Sequence, residues 1–356
     1  MNNANEDALK NPHRRSILTR SMTAIGWVVV AVAYPVLAFG LVWPMELREE
    51  RLIPSTLIHA AFMVRTFLFH AGVALAVVAL RALIARDPRL AITTVPAIVI
   101  ALASTVPNFF PRGAAAGAAD AATIRVFSGN LLAFNRETAE IANEIAACDA
   151  DVIMLQEFTP HWRDALAPRL EDRYPYQVLA PQTDCFGVAI YSKWPYVQSP
   201  RVDVRLGREP APQIRAVVQT PLGPVVFYNI HLVPPTSVTR STEQRLELAD
   251  LLECVRAETL PVVVSGDFNF TLDSLHHRRV REAGFRDVHE IAGCGRGSTW
   301  PVKRWTRYVP GIRLDHIYIS SQLTAASCGQ GVGMGSDHRP VFAMLALVTA
   351  PGAIDR

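Results

Sequence analysis

An excess of positive charge is the first thing this 356-residue sequence lacks: 35 Lys and Arg stand against 32 Asp and Glu, for a formal net charge of +3. Residues 1–122 carry 11 basic and 7 acidic residues, and the rest carries 24 and 25. A domain that grips nucleic acid through its phosphates needs clustered cations, and the larger part of the chain has no such surplus. Cysteine is scarce. Its five copies (148, 185, 254, 294, 328) are odd in number, all lie in the larger part and never take a Cys-x-x-Cys spacing. That argues against structural zinc and offers no disulfide framework. Charge of either sign is also thin, at 19% of residues against 50% hydrophobic, which is apolar for a soluble protein.

What is present instead is a set of long uncharged runs near the N-terminus. Residues 22–43 contain no charge and are long enough to span a bilayer. Pro35 kinks such a helix without excluding it, and the run is too long for a cleaved signal peptide. A second run, 56–85, is interrupted by Arg65, which with Arg81 could snorkel to opposite interfaces; its His59 and His70 read as satisfied or interfacial side chains. A third, 90–107, ends in Pro107. The expected organisation is a cytoplasmic tail (1–21), a transmembrane region of about three helices (22–107), an Ala/Gly-rich linker (108–122), a globular domain (123–348) and a C-terminal tail (349–356). Lys10, Arg14, Arg15, Arg20, Arg81, Arg86 and Arg89 on one side outweigh Arg48, Arg51, Arg65 and Arg112 on the other. Lys and Arg in short loops stay inside, so three crossings predict a multi-pass protein of the inner or plasma membrane with its globular domain outside the cytoplasm.

Strand and helix patterns then alternate. Strands are expected at 124–129, 151–156, 186–192, 225–231, 260–267 and 316–320, and helices at 137–147 and, from a capping box of Ser241 and Gln244, at about 241–256. Apolar strands with interleaved helices predict a layered α/β domain.

Polar groups recur where these strands stop: Asn130, Glu157, His231, Asp267 with Asn269 in SGDFN, Asp315 with His316, and Asp337 with His338 in GSDHRP. Taken singly, each reads as a turn or solvated residue. Together they are what a metal-assisted phosphoester hydrolase needs: oxygen ligands for a hard cation, a group to activate water, and donors for charge developing on the transferring phosphoryl group.

The motifs SGNLL, LQE, NIHL, SGDFN, RLDHIYIS and GSDHRP, in that order over residues 123–348, resemble the endonuclease/exonuclease/phosphatase superfamily, and the membrane-anchored layout with the STWP segment is similar to its bacterial YafD-like group. The resemblance implies a four-layer α/β sandwich, two central sheets flanked by helices, and Mg²⁺ or Mn²⁺ as cofactor. It implies metal ligation by Glu157 with Asn130, and Asp315 near the metal or orienting a neighbour. Asp267 would activate water, Asn269 hold a phosphate oxygen, and His338 stabilise the transition state with its tautomer fixed by Asp337. His231 matches a histidine position of deoxyribonuclease-like and sphingomyelinase-like members. Leu132 stands where some members carry an acidic residue. Asp184, just before a strand, is an expected partner for His231.

The segment 295–315 adds Arg304, Trp305 and Arg307 to further cations and aromatics. It reads either as a lip for an anionic substrate or membrane interface or as a solvated loop. The expected function is a membrane-anchored, metal-dependent phosphodiesterase or phosphatase acting on a lipid headgroup or small phosphoester. A membrane-anchored nuclease and a non-catalytic membrane scaffold are the alternatives. The expected partners are the lipid bilayer and an anionic phosphoester; nucleic acid is possible but not favoured, and no protein partner is inferable.

Overall fold

A computed structural model of the chain describes residues 12–43, 52–109, 122–209, 211–302, 310–332 and 335–348. The expected linker lies almost wholly outside these residues. The chain divides into two compact units, one of Met1–Pro44 with Ala60–Pro107 and one of Met45–His59 with Asn108–Arg356.

The first unit is helical, and the helix α2 described with it begins in the second. Helix α1 (Pro12–Val42) contains the first apolar run, and its Thr19–Val42 portion is long and apolar enough to cross a membrane. The second run forms not one helix but two, α2 (Leu52–Thr66) and α3 (Leu68–Ile84), bent by 59° across Phe67. The third, α4 (Pro88–Leu102), has 15 residues and is shorter than a full span. One long helix, or two spans if the bent pair counts as one, replaces the three expected crossings. Arg65 reaches the C-terminal end of α1. Its guanidinium donates to Gly40 O at 2.8 Å and Leu41 O at 2.5 Å, satisfying carbonyls that the last turn of α1 leaves open. Leu37, Leu68, Leu75, Leu90, Ala97 and Ala101 form the buried seam of the unit, while Ile25, Val28 and Val32 on α1 and Val77, Leu80 and Leu83 on α3 stand exposed.

The second unit holds two mixed sheets flanked by helices, an α/β sandwich. In chain order its elements are β1 (Ile124–Asn130), α5 (Thr138–Cys148), β2 (Val152–Gln156), α6 (Pro160–Leu170), β3 (Tyr176–Ala180), β4 (Val188–Ser192), β5 (Ile214–Thr220), β6 (Gly223–His231), α7 (Val238–Arg256), β7 (Val262–Asp267), α8 (Leu275–Glu282), β8 (Arg286–Asp287), α9 (Val288–Ala292), β9 (Asp315–Ile319), β10 (Leu323–Gln330) and β11 (Val341–Leu347). The sheets run β10-β11-β1-β2-β4-β3 and β5-β6-β7-β9-β8. Side chains alternate between the two faces of a strand. Ile124, Val126, Val152 and Met154 therefore meet Val225, Phe227, Val263 and Ile317 between the sheets. Phe127, Ile153, Leu155 and Tyr191 turn outward onto Ile141, Ile145, Trp162 and Leu166 of α5 and α6.

Along that inner face the chemistry changes in steps. Above the apolar floor comes a neutral polar layer. Gln156 Nε2 donates across the sheets to Asn229 Oδ1 at 2.6 Å, and Asn229 Nδ2 donates to Leu155 O and Ala189 O at 2.9 and 2.8 Å. One alternation further on, the inward positions are Asn130, His231, Asp267 and Asp315, at the ends of β1, β6, β7 and β9.

Helix α7 begins at Val238 with Ser237 as its cap, whose hydroxyl accepts from Arg240 N. Gln244 is thus not part of a capping box; it lies buried two turns inside the helix. One turn on, Glu247 is buried and accepts from Val233 N at 2.8 Å. Burial, with Glu243, Glu209 and Asp250 nearby, pushes its carboxyl from 4.5 up to about 8. A folded-state value above the unfolded one means the neutral acid favours folding fully below about pH 4.5, and that this contribution is lost as pH rises to about 8. Wild-type protein is therefore expected to lose up to a few kcal/mol of stability across that window, at about 1.4 kcal/mol per tenfold change in proton affinity. Glu247→Gln should lose less. Parallel thermal midpoints of the two proteins over the same pH series would refute the assignment.

Candidate active site

The site is assembled by strand register. In the second sheet His231 is paired with Asp267 on parallel β6 and β7, and Asp267 with Asp315 on antiparallel β7 and β9, so the three stand in a row. In the first sheet Asn130 is paired with Gln156, placing Glu157 just beyond. The two groups meet through Asn130, whose Nδ2 lies 3.0 Å from Glu157 Oε1 and 3.1 Å from Asp267 Oδ2. Its Oδ1 accepts from Leu132 N. The other carboxylate oxygen of Glu157 accepts from Ala133 N at 2.8 Å.

Asp267 is the hub. His231 Nε2 stands 3.6 Å from its Oδ2, and His338 Nε2 stands 3.8 Å from the same atom. His338 Nδ1 is 2.8 Å from Asp315 Oδ2. Burial raises the Asp267 carboxyl to about 6, Asp315 adding to the shift while the two imidazoles oppose it. Burial works against a charge on His338, but Asp315 and Asp267 outweigh it and raise the imidazole to about 10. Asp315 is held below the usual carboxylate range by His338 in spite of its burial.

Two expected pairings are corrected. Asp337 is not the partner of His338: its Oδ2 accepts from Trp300 Nε1 at 3.2 Å, and Asp315 occupies the place beside Nδ1. The alternation is the reason, since Asp315 faces the pocket from β9 in the opposite sheet whereas Asp337 precedes His338 in the loop before β11. Asp184 does not orient His231. Its carboxylate accepts from Phe186 N two residues on, and His231 Nδ1 instead meets Cys185 O at 3.0 Å. A backbone carbonyl has no sequence signature, so that contact could not be read in advance.

Other supports were also silent. Ser336 Oγ donates to Asn130 O and accepts from His338 N, tying the last loop to β1. Thr299 Oγ1 accepts from Leu314 N and Asp315 N. Asn269 Nδ2 donates to Leu232 O at 2.9 Å, leaving its second N–H for another acceptor. Arg304, Trp305 and Arg307 lie outside the described residues. Three of the five non-glycine residues with left-handed backbone among the described residues are here: Leu132 (φ 58), Glu157 (φ 55) and Asn269 (φ 52). Such strain, about 1–3 kcal/mol each, gathers where the chain must aim a functional group.

The donor set fits a hard cation. Ligand atoms of Asp267, Asp315 and His338 lie within 4.8 Å of one another. Asp315 Oδ1 and Asp337 Oδ1 are buried with no hydrogen-bond partner. Carboxylate oxygens gathered in this way, with Glu157 joined to Asp267 through Asn130 Nδ2, suit Mg²⁺ or Mn²⁺ and not a soft metal.

The model of the Endonuclease/Exonuclease/phosphatase family matches residues 124–338. A comparison with curated proteins returned no match. Among solved structures, the endonuclease/exonuclease/phosphatase from Beutenbergia cavernae DSM 12333 is similar at a TM-score of 0.53 and 22% identity, over 65% of this chain and 73% of that one. A 3′ phosphatase from Neisseria, NExo, bound to a product DNA hairpin, matches at 0.50 and 21%, over 62% and 98%. A humanized D. rerio TDP2 matches at 0.51 and 17%, over 63% and 98%. At these identities the neighbours establish the fold.

Proposed function

Because the chain belongs to the Endonuclease/Exonuclease/phosphatase family, whose members are metal-dependent phosphoester hydrolases, we propose that it is a membrane-anchored phosphodiesterase or phosphatase acting on a lipid headgroup or small phosphoester. The observation that carries the reading is the convergence of His231, Asp267, Asp315 and His338 on Asn130 and Glu157 at one end of both sheets. Glu157 and Asn130 would hold Mg²⁺ or Mn²⁺, with Asp315 supplying a further oxygen; when bound, the cation neutralises phosphate charge.

The residues divide the remaining work. Asp267, more basic than an ordinary aspartate, takes a proton from the water that attacks phosphorus. His338, held charged by Asp315, presents Nε2–H to the negative charge growing on the phosphoryl oxygens. Asn269 offers its free amide hydrogen to one of those oxygens. As the bond to the leaving oxygen breaks, His231 returns a proton through Nε2, its ring held in orientation by Cys185 O.

The test is a panel on the full-length protein with Mg²⁺: bis(p-nitrophenyl) phosphate, p-nitrophenyl phosphate, phospholipid vesicles and plasmid DNA. Cleavage of the small esters or the lipid ahead of DNA is expected. Plasmid cut fastest would make it a nuclease, and inertness towards all four would leave a scaffold.

The membrane part of the proposal rests on Thr19–Val42 and the exposed apolar faces of α1 and α3. One crossing, like three, carries the domain to the side opposite the basic tail, whereas two, with the bent pair as the second, would return it. A reporter active only outside the cytoplasm, fused after Arg356, is expected to be active. A silent fusion, with a cytoplasmic reporter active at the same point, would place the domain inside.

A further inference from the structure

Asp267 ends β7 and Asn269 sits in the turn that follows, yet that turn does not hold itself. Gly266 (φ 148), just before the strand ends, lies so close to β6 that a Cβ would meet Ile230 O at 1.8 Å, and past the strand Asn269 is left-handed. A segment this irregular cannot pair its own backbone groups, so each buried carbonyl must find a donor elsewhere.

Four consecutive carbonyls do so. Asp267 O accepts from Leu232 N at 3.0 Å. Phe268 O and Asn269 O both lie 3.2 Å from Gln244 Nε2, which reaches Val233 O at 2.9 Å as well. Phe270 O lies 2.9 Å from His316 Nε2. Gln244 and His316 are both fully buried. The imidazole of His316 is fixed from its far side, where Nδ1 stands 2.5 Å from Asp287 Oδ2, and Asp287 is itself 3.4 Å from Arg313 Nη2. Gln244 and Glu247, a helical turn apart, grip the C=O and the N–H of the same residue, Val233, two positions after His231. The amide of Gln244 thereby joins the segment behind His231 to the turn behind Asp267.

We propose that Gln244 and His316 are positioning residues for hydrolysis: they hold the carbonyls of residues 268–270 from behind and so set where Asp267 and Asn269 present their side chains to the phosphoester. This rests on the hydrolase reading above. Neither residue touches the reacting atoms; they act through the turn. A misplacement of about 1 Å in such a group is enough to lower turnover by ~10²-fold.

Gln244→Met keeps length and volume and removes the donors. In the full-length protein with Mn²⁺ and bis(p-nitrophenyl) phosphate, kcat is expected to fall ~10- to 100-fold with KM little changed. Amide hydrogen exchange across residues 266–270 should quicken while the strands of both sheets keep their protection. A variant whose turn stays as protected as wild type, or whose turn loosens while kcat holds, overturns the proposal. If Gln244→Met loses protection throughout, His316 carries the test: kcat should fall in the order wild type, His316→Gln (which keeps a donor for Phe270 O), His316→Phe, and equal values for the two variants overturn the proposal. A wild-type protein inert towards every phosphoester would remove the hydrolase reading instead, while the exchange data still report on the hold on the turn.

Discussion

Asp267→Asn and His338→Ala are each expected to reduce kcat by ~10²-fold or more, the scale on which one proton-transfer or charge-stabilising group is worth. Asp267 stands within 4 Å of Asn130, His231 and His338, so an amide in its place offers the water no base and leaves His338 without its second carboxylate. His338→Ala removes the cation that Asp315 keeps charged. Because the two serve one step, the double variant should be only slightly slower than the worse single one. Folding should survive both changes, and Asp267→Asn should be at least as thermostable as wild type, since it relieves a carboxylate that burial disfavours. The check is kcat for a small diester beside a thermal melt. Turnover near wild type in either single variant would take that residue out of the chemistry.

Complete loss of activity in excess chelator, restored by Mg²⁺ or Mn²⁺, is the second large effect. Glu157, Asp267 and Asp315 bring three carboxylates to one pocket, and His338 balances only part of that charge. An anionic phosphoester approaching such a site is repelled unless a cation intervenes. Glu157 is aimed by a strained backbone and by donors from Ala133 N and Asn130 Nδ2, as a group held ready for a ligand would be. Mg²⁺ should therefore raise the melting temperature of the wild type, because the folded state alone binds it, and Glu157→Gln should blunt both that rise and the activity. Full activity in chelator would end the metal-dependent reading.

The strands that carry the site are legible because they are buried on both faces almost throughout: VIML and VVV are continuous apolar runs, IRVF is broken only by Arg125, and each gives way to polar residues at the site. Less regular pieces are not. YQVLA of β3 is half-exposed and IRAVVQT of β5 is an edge strand, and neither rises above its surroundings. LTAASCGQ of β10 is built of small residues and bulges between Ala325 and Ser327. Helix α6 does carry a signal, Thr159 before Pro160, a cap followed by a preset first turn. The site residues were visible because side-chain chemistry is written in the sequence. Their partners are not legible where the true partner is a backbone carbonyl, as at Cys185, or lies in the opposite sheet, as Asp315 does for His338. The apolar runs at the N-terminus were equally visible, but run length could not foresee the break at Phe67 or the use of Arg65 to close the end of α1.

Floor, polar layer and reactive end share one face of the same strands, and this constrains how the gene can vary in length. Inserting or deleting a single codon within β1, β6, β7 or β9 would turn the side chains beyond it to the opposite face. In β7 such a change ahead of Val263 would expel Val263 from the core, Ser265 from the middle and Asp267 from the pocket together. No partial phenotype, stable but inactive or active but fragile, is available by that route. Insertions and deletions that leave the protein active are therefore expected in the connections and not within these four strands.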